Sequence, residues 1–302
     1  MRYRVVSFSR RLACTLLLAA PLAAGSEIGD ALFQDPPRDA DHPARMFVVH
    51  IPTHGTLING VIYSPAGTGP HPIVIFYHGL PGNEQNLDLA QALRRSGWSV
   101  LTLHYRGSWG SAGTYSYQHL IEDGEAAVDF VRDSGNDAMY LLDPQRIVLA
   151  GHSTGGFVAV LTAVARPPIR ALVLVSASDD AGEAIAASAD PHKWRDWVSD
   201  SYGEQESLIG STPEGLAREV RDHADSWSFA EVAPHLTHVA MLMITADDGL
   251  RTENEAFARA VVAAGGGAPT RVHMQTDHPY SDHRIALQET VVKWLEAYRT
   301  GR

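Results

Sequence analysis

The sequence predicts an α/β fold: a mostly parallel, mixed β-sheet flanked by helices, with a small helical cap inserted late in the chain. Three observations predict it. From residue 73 onward, short apolar runs of strand length alternate with longer segments of helical periodicity, the pattern of a parallel sheet covered on both faces. Ahead of them, Met46 to Ile51 and Leu57 to Tyr63 are two runs joined through Thr53-His54-Gly55-Thr56, which reads as an antiparallel hairpin at a sheet edge. Residues 179–236 then break the alternation, and a structureless loop of that length is out of place in a compact domain.

The chain has 302 residues, 45% hydrophobic and 20% charged, which gives one large or two small domains with ample material for a core. Its net charge is −11, and Lys193 and Lys293 are its only lysines. An acidic chain without a basic tract argues against nucleic acid or an anionic membrane surface as partner.

Residues 1–25 read as a secretory signal. Arg2, Arg4, Arg10 and Arg11 make a basic start, Leu12 to Ala24 is apolar but too short for a stop-transfer helix, and the run ends in small residues near Ala24 and Gly25. Ser9-Arg10-Arg11 resembles part of a twin-arginine signal, which Leu12-Ala13 fits poorly. An uncleaved anchor is the alternative. Cleavage would leave a charge of about −15 and remove Cys14, the only cysteine, so the mature chain would be exported to the periplasm or beyond without disulfide or thiol chemistry. Residues 26–44, with Pro36, Pro37 and Pro43, read as a linker, and residues 45–302 as the folded domain containing the cap.

Within that domain, Ser64 to Pro72 is a Gly/Pro turn and Ile73 to Tyr77 a strand apolar on both faces. Helices are expected at Asn86 to Ser96 and at Tyr117 to Arg132, the latter with Leu120, Val128 and Val131 on one stripe, with a strand at Trp98 to His104 between them. Ile147 to Ala150 is the next strand, followed by the helix Val158 to Ala165 and the strand Ala171 to Val175. The cap is acidic and aromatic, with Trp194, Trp197, Tyr202, Trp227 and Phe229. After it come the strand Val239 to Thr245, the helix Glu253 to Ala264, the strand Arg271 to Gln275 and the helix Ile285 to Tyr298.

The segment that carries chemistry is Gly151-His152-Ser153-Thr154-Gly155, set between a strand and a small-residue helix. Strand, G-x-S-x-G, helix is the nucleophile elbow: a strained turn that lifts the Ser153 hydroxyl above the sheet and turns the Thr154 amide toward the same space. A serine needs a base to remove its proton. In this topology the acid and then the histidine follow the serine, on loops past later strands. Asp248 is the preferred acid, since it lies further beyond the strand end and Gly249 lets the chain turn away; Asp247 is the runner-up, and Asp179 and Asp180 are distant third choices. His278 is the preferred base because it sits in the loop after the last strand. His283 is the runner-up, placed in the first turn of the last helix if Ser281 caps it. The oxyanion of acyl transfer needs two backbone amides. Thr154 is expected to supply one and Leu80, in His78-Gly79-Leu80-Pro81-Gly82, the other; Pro81 has none to give.

These residues resemble the α/β-hydrolase superfamily over roughly Met46 to Tyr298. The resemblance rests on His78-Gly79, on Tyr105-Arg106-Gly107-Ser108-Trp109-Gly110-Ser111, which is similar to the superfamily's loop after the fourth strand, on the elbow, and on the Asp248 and His278 loops. It implies a serine triad and no metal or other cofactor. Among subgroups the chain looks most like secreted or periplasmic esterases and the catalytic domains of serine aminopeptidase-like and prolyl-oligopeptidase-like enzymes. It departs from the last by having no room for a propeller, from one lipase and esterase group by lacking His-Gly-Gly-Gly, and from dehalogenases and epoxide hydrolases by having Ser at the elbow. The expected activity is hydrolysis of a small-molecule ester or, alternatively, of a short peptide or amide. A non-catalytic binding protein on the same fold is the remaining reading.

Overall fold

The structure, a computed structural model, describes residues 28–299. The segment read as an export signal lies outside the described residues. Eight strands form one sheet in the order β1-β2-β4-β3-β5-β6-β7-β8. They are β1 (Arg45–Thr53), β2 (Thr56–Ser64), β3 (His71–Tyr77), β4 (Ser99–Leu103), β5 (Leu142–His152), β6 (Ala171–Val175), β7 (Ala240–Thr245) and β8 (Thr270–His273). β1 pairs with β2, and β2 with β4, antiparallel; every later pairing is parallel. The hairpin turns on His54 and Gly55, both with positive φ (41° and 80°), as a two-residue turn matched to strand twist requires.

Period-2 alternation sorts the strand residues onto two cores. Ile73, Ile75, Ile147 and Leu149 face one side. There they meet α3 (Tyr117–Arg132), α5 (Thr154–Ala165), the inserted helices and α11 (Arg251–Ala263). Val74, Phe76, Val148 and Ala150 face the other, against α2 (Leu87–Arg95) and α12 (Arg284–Arg299). β3 and β6 are buried at every position, which explains their unbroken apolar runs.

Two elements depart from the sequence reading. Part of the segment read as a linker is helical: α1 (Ile28–Phe33) packs beside α2 and α12, with Ala31 buried and its carbonyl accepting a hydrogen bond from Arg95 Nε. A further short helix, α4 (Ser134–Tyr140), is capped by Asp133, whose carboxylate accepts from the Gly135 and Asn136 amides.

Between β6 and β7 the chain forms α6 (Asp180–Ser188), α7 (Pro191–Tyr202), α8 (Pro213–Asp222), α9 (Ala224–Trp227), α10 (Phe229–Val232) and a 3₁₀ turn (Ala233–Leu236). The aromatic residues that mark this insert in the sequence are its core: Tyr202, Trp227 and Phe229 are buried, and Trp227 and Phe229 pack on Phe157 of α5.

Candidate active site

Parallel strands bring their carboxyl ends to one edge, and the expected groups lie there. Ser153 follows β5, Asp248 follows β7 and His278 follows β8. Ser153 has φ 57° and ψ −129°, a region L-residues rarely occupy. Holding it there costs about 1–3 kcal/mol, which the surrounding packing must offset. Two close approaches fix the turn. A Cβ on Gly151 would stand 2.0 Å from the Gly155 oxygen, and one on Gly155 would stand 2.1 Å from the Tyr77 oxygen. Glycine is therefore the only residue either position accepts.

Asp248 and His278 meet: Nδ1 of His278 lies 2.9 Å from Oδ2 of Asp248. Burial alone would raise the Asp248 carboxyl, but hydrogen bonds from His278, Ser176 and the Leu250 amide outweigh it and hold it at about 2. An ionised acceptor at that nitrogen fixes His278 with its proton on Nδ1 and leaves Nε2 basic. Among the described residues, Nε2 of His278 and Oγ of Ser153 have no hydrogen-bond partner. The two rims are joined one residue away, where the ring of His152 packs on that of His278 with centroids 4.6 Å apart.

The runners-up are engaged elsewhere. Asp247 pairs with His273 at 3.1 Å, and His283 with Asp282 at 2.8 Å. His283 does not sit in the first turn of α12 but one residue before it, and its carbonyl accepts from the Leu287 amide. Ser281 lies in the preceding turn, its amide held by Asp277, and so does not cap the helix as expected. Asp179 and Asp180 make no hydrogen bond to His278; Asp179 caps α6, and Asp180 is buried beside Thr154.

The oxyanion-side loop lies against the serine. A Cβ on Gly79 would stand 2.9 Å from Ser153 Cβ and 3.4 Å from its Oγ, so Gly79, the residue before Leu80, passes directly beside the hydroxyl. Thr154 opens α5, where the first amides have no carbonyl partner within the helix. Three contacts clamp the loop. Tyr105 Oη donates to the His78 carbonyl, Trp109 Nε1 donates to the Pro81 carbonyl at 2.8 Å, and His78 Nδ1 donates to the Gly79 carbonyl at 2.8 Å. Burial holds His78 down at about 4, so it stays a neutral donor. Sequence reasoning recognised the Tyr105 to Ser111 segment but gave it no role; it braces this loop.

A buried ion pair fixes the brace in turn. Asp123, on α3, receives the Arg106 amide and Nε, each at 2.7 Å, and the Thr53 hydroxyl at 2.9 Å. Behind Asp248 and His278, the Ser176 and Tyr280 hydroxyls lie 2.9 Å apart, and Arg284 binds Asp88 and Asn86 across from α12 to α2. These second partners carry no motif and became visible only in the fold.

Sheet order, the elbow and the Asp248–His278 pair past the strand ends are those of the α/β-hydrolase fold. The comparisons with known proteins agree: a family model described as the alpha/beta hydrolase fold matches residues 72–202, and the chain has that fold. It is 37% identical over 135 residues to the uncharacterized protein Rv2307c of Mycobacterium tuberculosis, covering 44% of this chain and 46% of that one. The chain thus spans about half the length of this curated relative. It is 25% identical over 230 residues to the carboxylic ester hydrolase LipN of the same organism, covering 69% and 57%. Among solved structures, EstE1, a thermostable carboxylesterase cloned from a metagenomic library, superposes with a TM-score of 0.60 at 22% identity, covering 86% of this chain and 91% of that one.

Proposed function

We propose that the chain is a serine hydrolase that cleaves an ester bond of a small substrate through an acyl-enzyme. The observation that carries this reading is the Asp248–His278 hydrogen bond formed at the same sheet edge as a serine held in the strained elbow conformation. Likeness to esterases in fold and to LipN in sequence supports the ester over other substrates.

In this mechanism Ser153 Oγ attacks the carbonyl carbon while its proton passes to His278 Nε2. Asp248 holds the imidazole in the tautomer that can accept that proton and stabilises the cation formed. The amides of Leu80 and Thr154 receive the oxyanion. The tetrahedral intermediate collapses, His278 returns the proton to the departing alcohol, and water releases the acid by the reverse route. With an intact export signal, the reaction would take place outside the cytoplasm.

One observation favours a second reading, an amidase or aminopeptidase on the same groups. Asp180, buried beside Thr154, has an oxygen, Oδ2, without a hydrogen-bond partner, which an amine could engage. The test is twofold. A fluorophosphonate should label Ser153 in the wild-type protein and fail on Ser153→Ala, whose turnover of nitrophenyl acyl esters should fall by ~10⁴-fold or more. Absence of wild-type labelling would leave a binding protein. Faster turnover of aminoacyl nitroanilides than of acyl esters would replace the esterase reading with the second.

A further inference from the structure

His152 stands between Gly151 and the nucleophile, is 4% exposed, and belongs to no part of the mechanism above. Its side chain nevertheless touches the base twice. Nε2 lies 3.0 Å from the main-chain oxygen of His278, and the two rings pack with centroids 4.6 Å apart at 38°. A carbonyl can only accept, so the proton of His152 is on Nε2. Nδ1 is then a bare lone pair, buried and without a partner.

We infer that His152 is a positioning residue: it ties the loop that carries the base to the turn that carries the nucleophile, by donating a hydrogen bond to the carbonyl of His278. The inference rests on the triad reading above. His278 is then held at three points: its carbonyl and one ring face by His152, and its Nδ1 by Asp248. Only Nε2 is left to address Ser153. Among the described residues, no other side chain of the elbow hydrogen-bonds the loop that carries His278.

The choice of histidine also has an electrostatic side. Burial, the neighbouring His278 and, more weakly, Arg284 keep His152 neutral, with its pKa at about 3. The His278 carbonyl and the Asp248 charge oppose them without prevailing. During attack His278 becomes a cation. A charged donor in the place of His152 would sit against that cation and disfavour it, whereas a neutral N–H supplies the tie without the repulsion.

The test uses the full chain and a neutral substrate, nitrophenyl acetate. His152→Leu keeps comparable volume and removes the donor; His152→Gln restores an N–H at similar reach. His152→Leu is expected to lower kcat about 10- to 100-fold, the scale of a modest misplacement of a catalytic group, with KM within about threefold. The acid limb of its kcat/KM profile should move to lower pH, because His278 loses its fixed approach to Asp248. His152→Gln should recover kcat to within about threefold of wild type. If Leu does not yield folded protein, His152→Met takes its place. A donorless variant with wild-type kcat and pH profile overturns the inference, as does a folded Gln variant as impaired as the donorless one. Fluorophosphonate labelling of the wild type comes first. Failure there sinks the hydrolase reading itself, whereas a labelled wild type with an indifferent His152→Leu sinks only the tie.

Discussion

Asp180 and Asp248 stand just past the ends of neighbouring strands, β6 and β7, but at different depths: Asp180 is buried, whereas Asp248 is half-buried, its side chain covered and the rest of the residue partly exposed. Burial pushes both carboxyls upward. At Asp248 three donors, His278, Ser176 and the Leu250 amide, reverse the effect and hold the group at about 2. At Asp180 burial dominates, the Glu183 charge adds to it, the Ser178 and Thr154 hydroxyls offset it only in part, and the carboxyl is pushed well above 3.8. Asp180 lies deeper, and fewer aimed donors reach it. A carboxylate stays ionised in a fold when donors converge on it and burial is incomplete, and the two together separate a residue able to hold a histidine from one that merely occupies the base of the cap.

The comparison breaks first if the ionised carboxylate is dispensable. Asp248→Asn preserves shape but lets His278 carry its proton on the wrong nitrogen, and kcat for a nitrophenyl ester should drop by ~10³–10⁴-fold. Asp247→Asn, which disturbs only the partly exposed contact with His273, should stay within about threefold. Steady-state kinetics on the two purified variants decide it, and equal losses would mean that the aspartates share the role.

A third carboxyl sharpens the contrast. Asp123 is fully buried and paired with Arg106, yet burial still leaves it raised, the Arg106 and Thr53 contacts offsetting the cost only in part. Such a pair is weakly stabilising as a whole but expensive to break. Arg106→Leu should cost about 3–5 kcal/mol, because Asp123 is left buried without its cation. Asp123→Asn in the same chain should recover part of that loss. Urea unfolding of the single and double variants measures both, and an unrecovered double variant would place the cost in packing of the Arg106 side chain instead.

How much of this was legible in the sequence depended on range. The alternation of runs gave the order of strands and helices, since a strand buried on both faces, such as β6, announces itself in its own five residues. The elbow was equally local: Gly151 and Gly155 are dictated by contacts within or beside one turn. Asp248 over Asp247, and His278 over His283, were preferred on loop position, and the geometry pairs the preferred two. What stayed hidden depends on distant partners. Ala31 is buried because α2 and α12 wait for it; Ser281 loses its role as a cap because Asp277 holds its amide in an earlier turn. His152 reads as a filler letter of G-x-S-x-G until residue 278 is placed beside it. The opposite displacements of Asp180 and Asp248 likewise follow from burial and donors that no spacing rule locates.

The smallest expected effect concerns Asp180 and has a definite sign. Its folded value lies above the ordinary 3.8, so the unfolded chain gives up this proton first as pH rises. Between about pH 4 and the folded value, the unfolded state binds fewer protons than the native state, and stability falls with pH. Asp248 acts oppositely. Its depressed value contributes stability above about pH 4 that is lost as pH falls toward 2. Asp180→Asn removes the ionisable group and its penalty together. The variant should melt above wild type near pH 8, by roughly 2–4 °C for each kcal/mol removed, and the gap should close near pH 4. Thermal melts across that interval read the slope directly. A variant that destabilises equally at both pH values would show that the Asp180 carboxyl supplies a hydrogen bond the cap needs, and the contrast between the two strand ends would then lie in their partners but not in their cost.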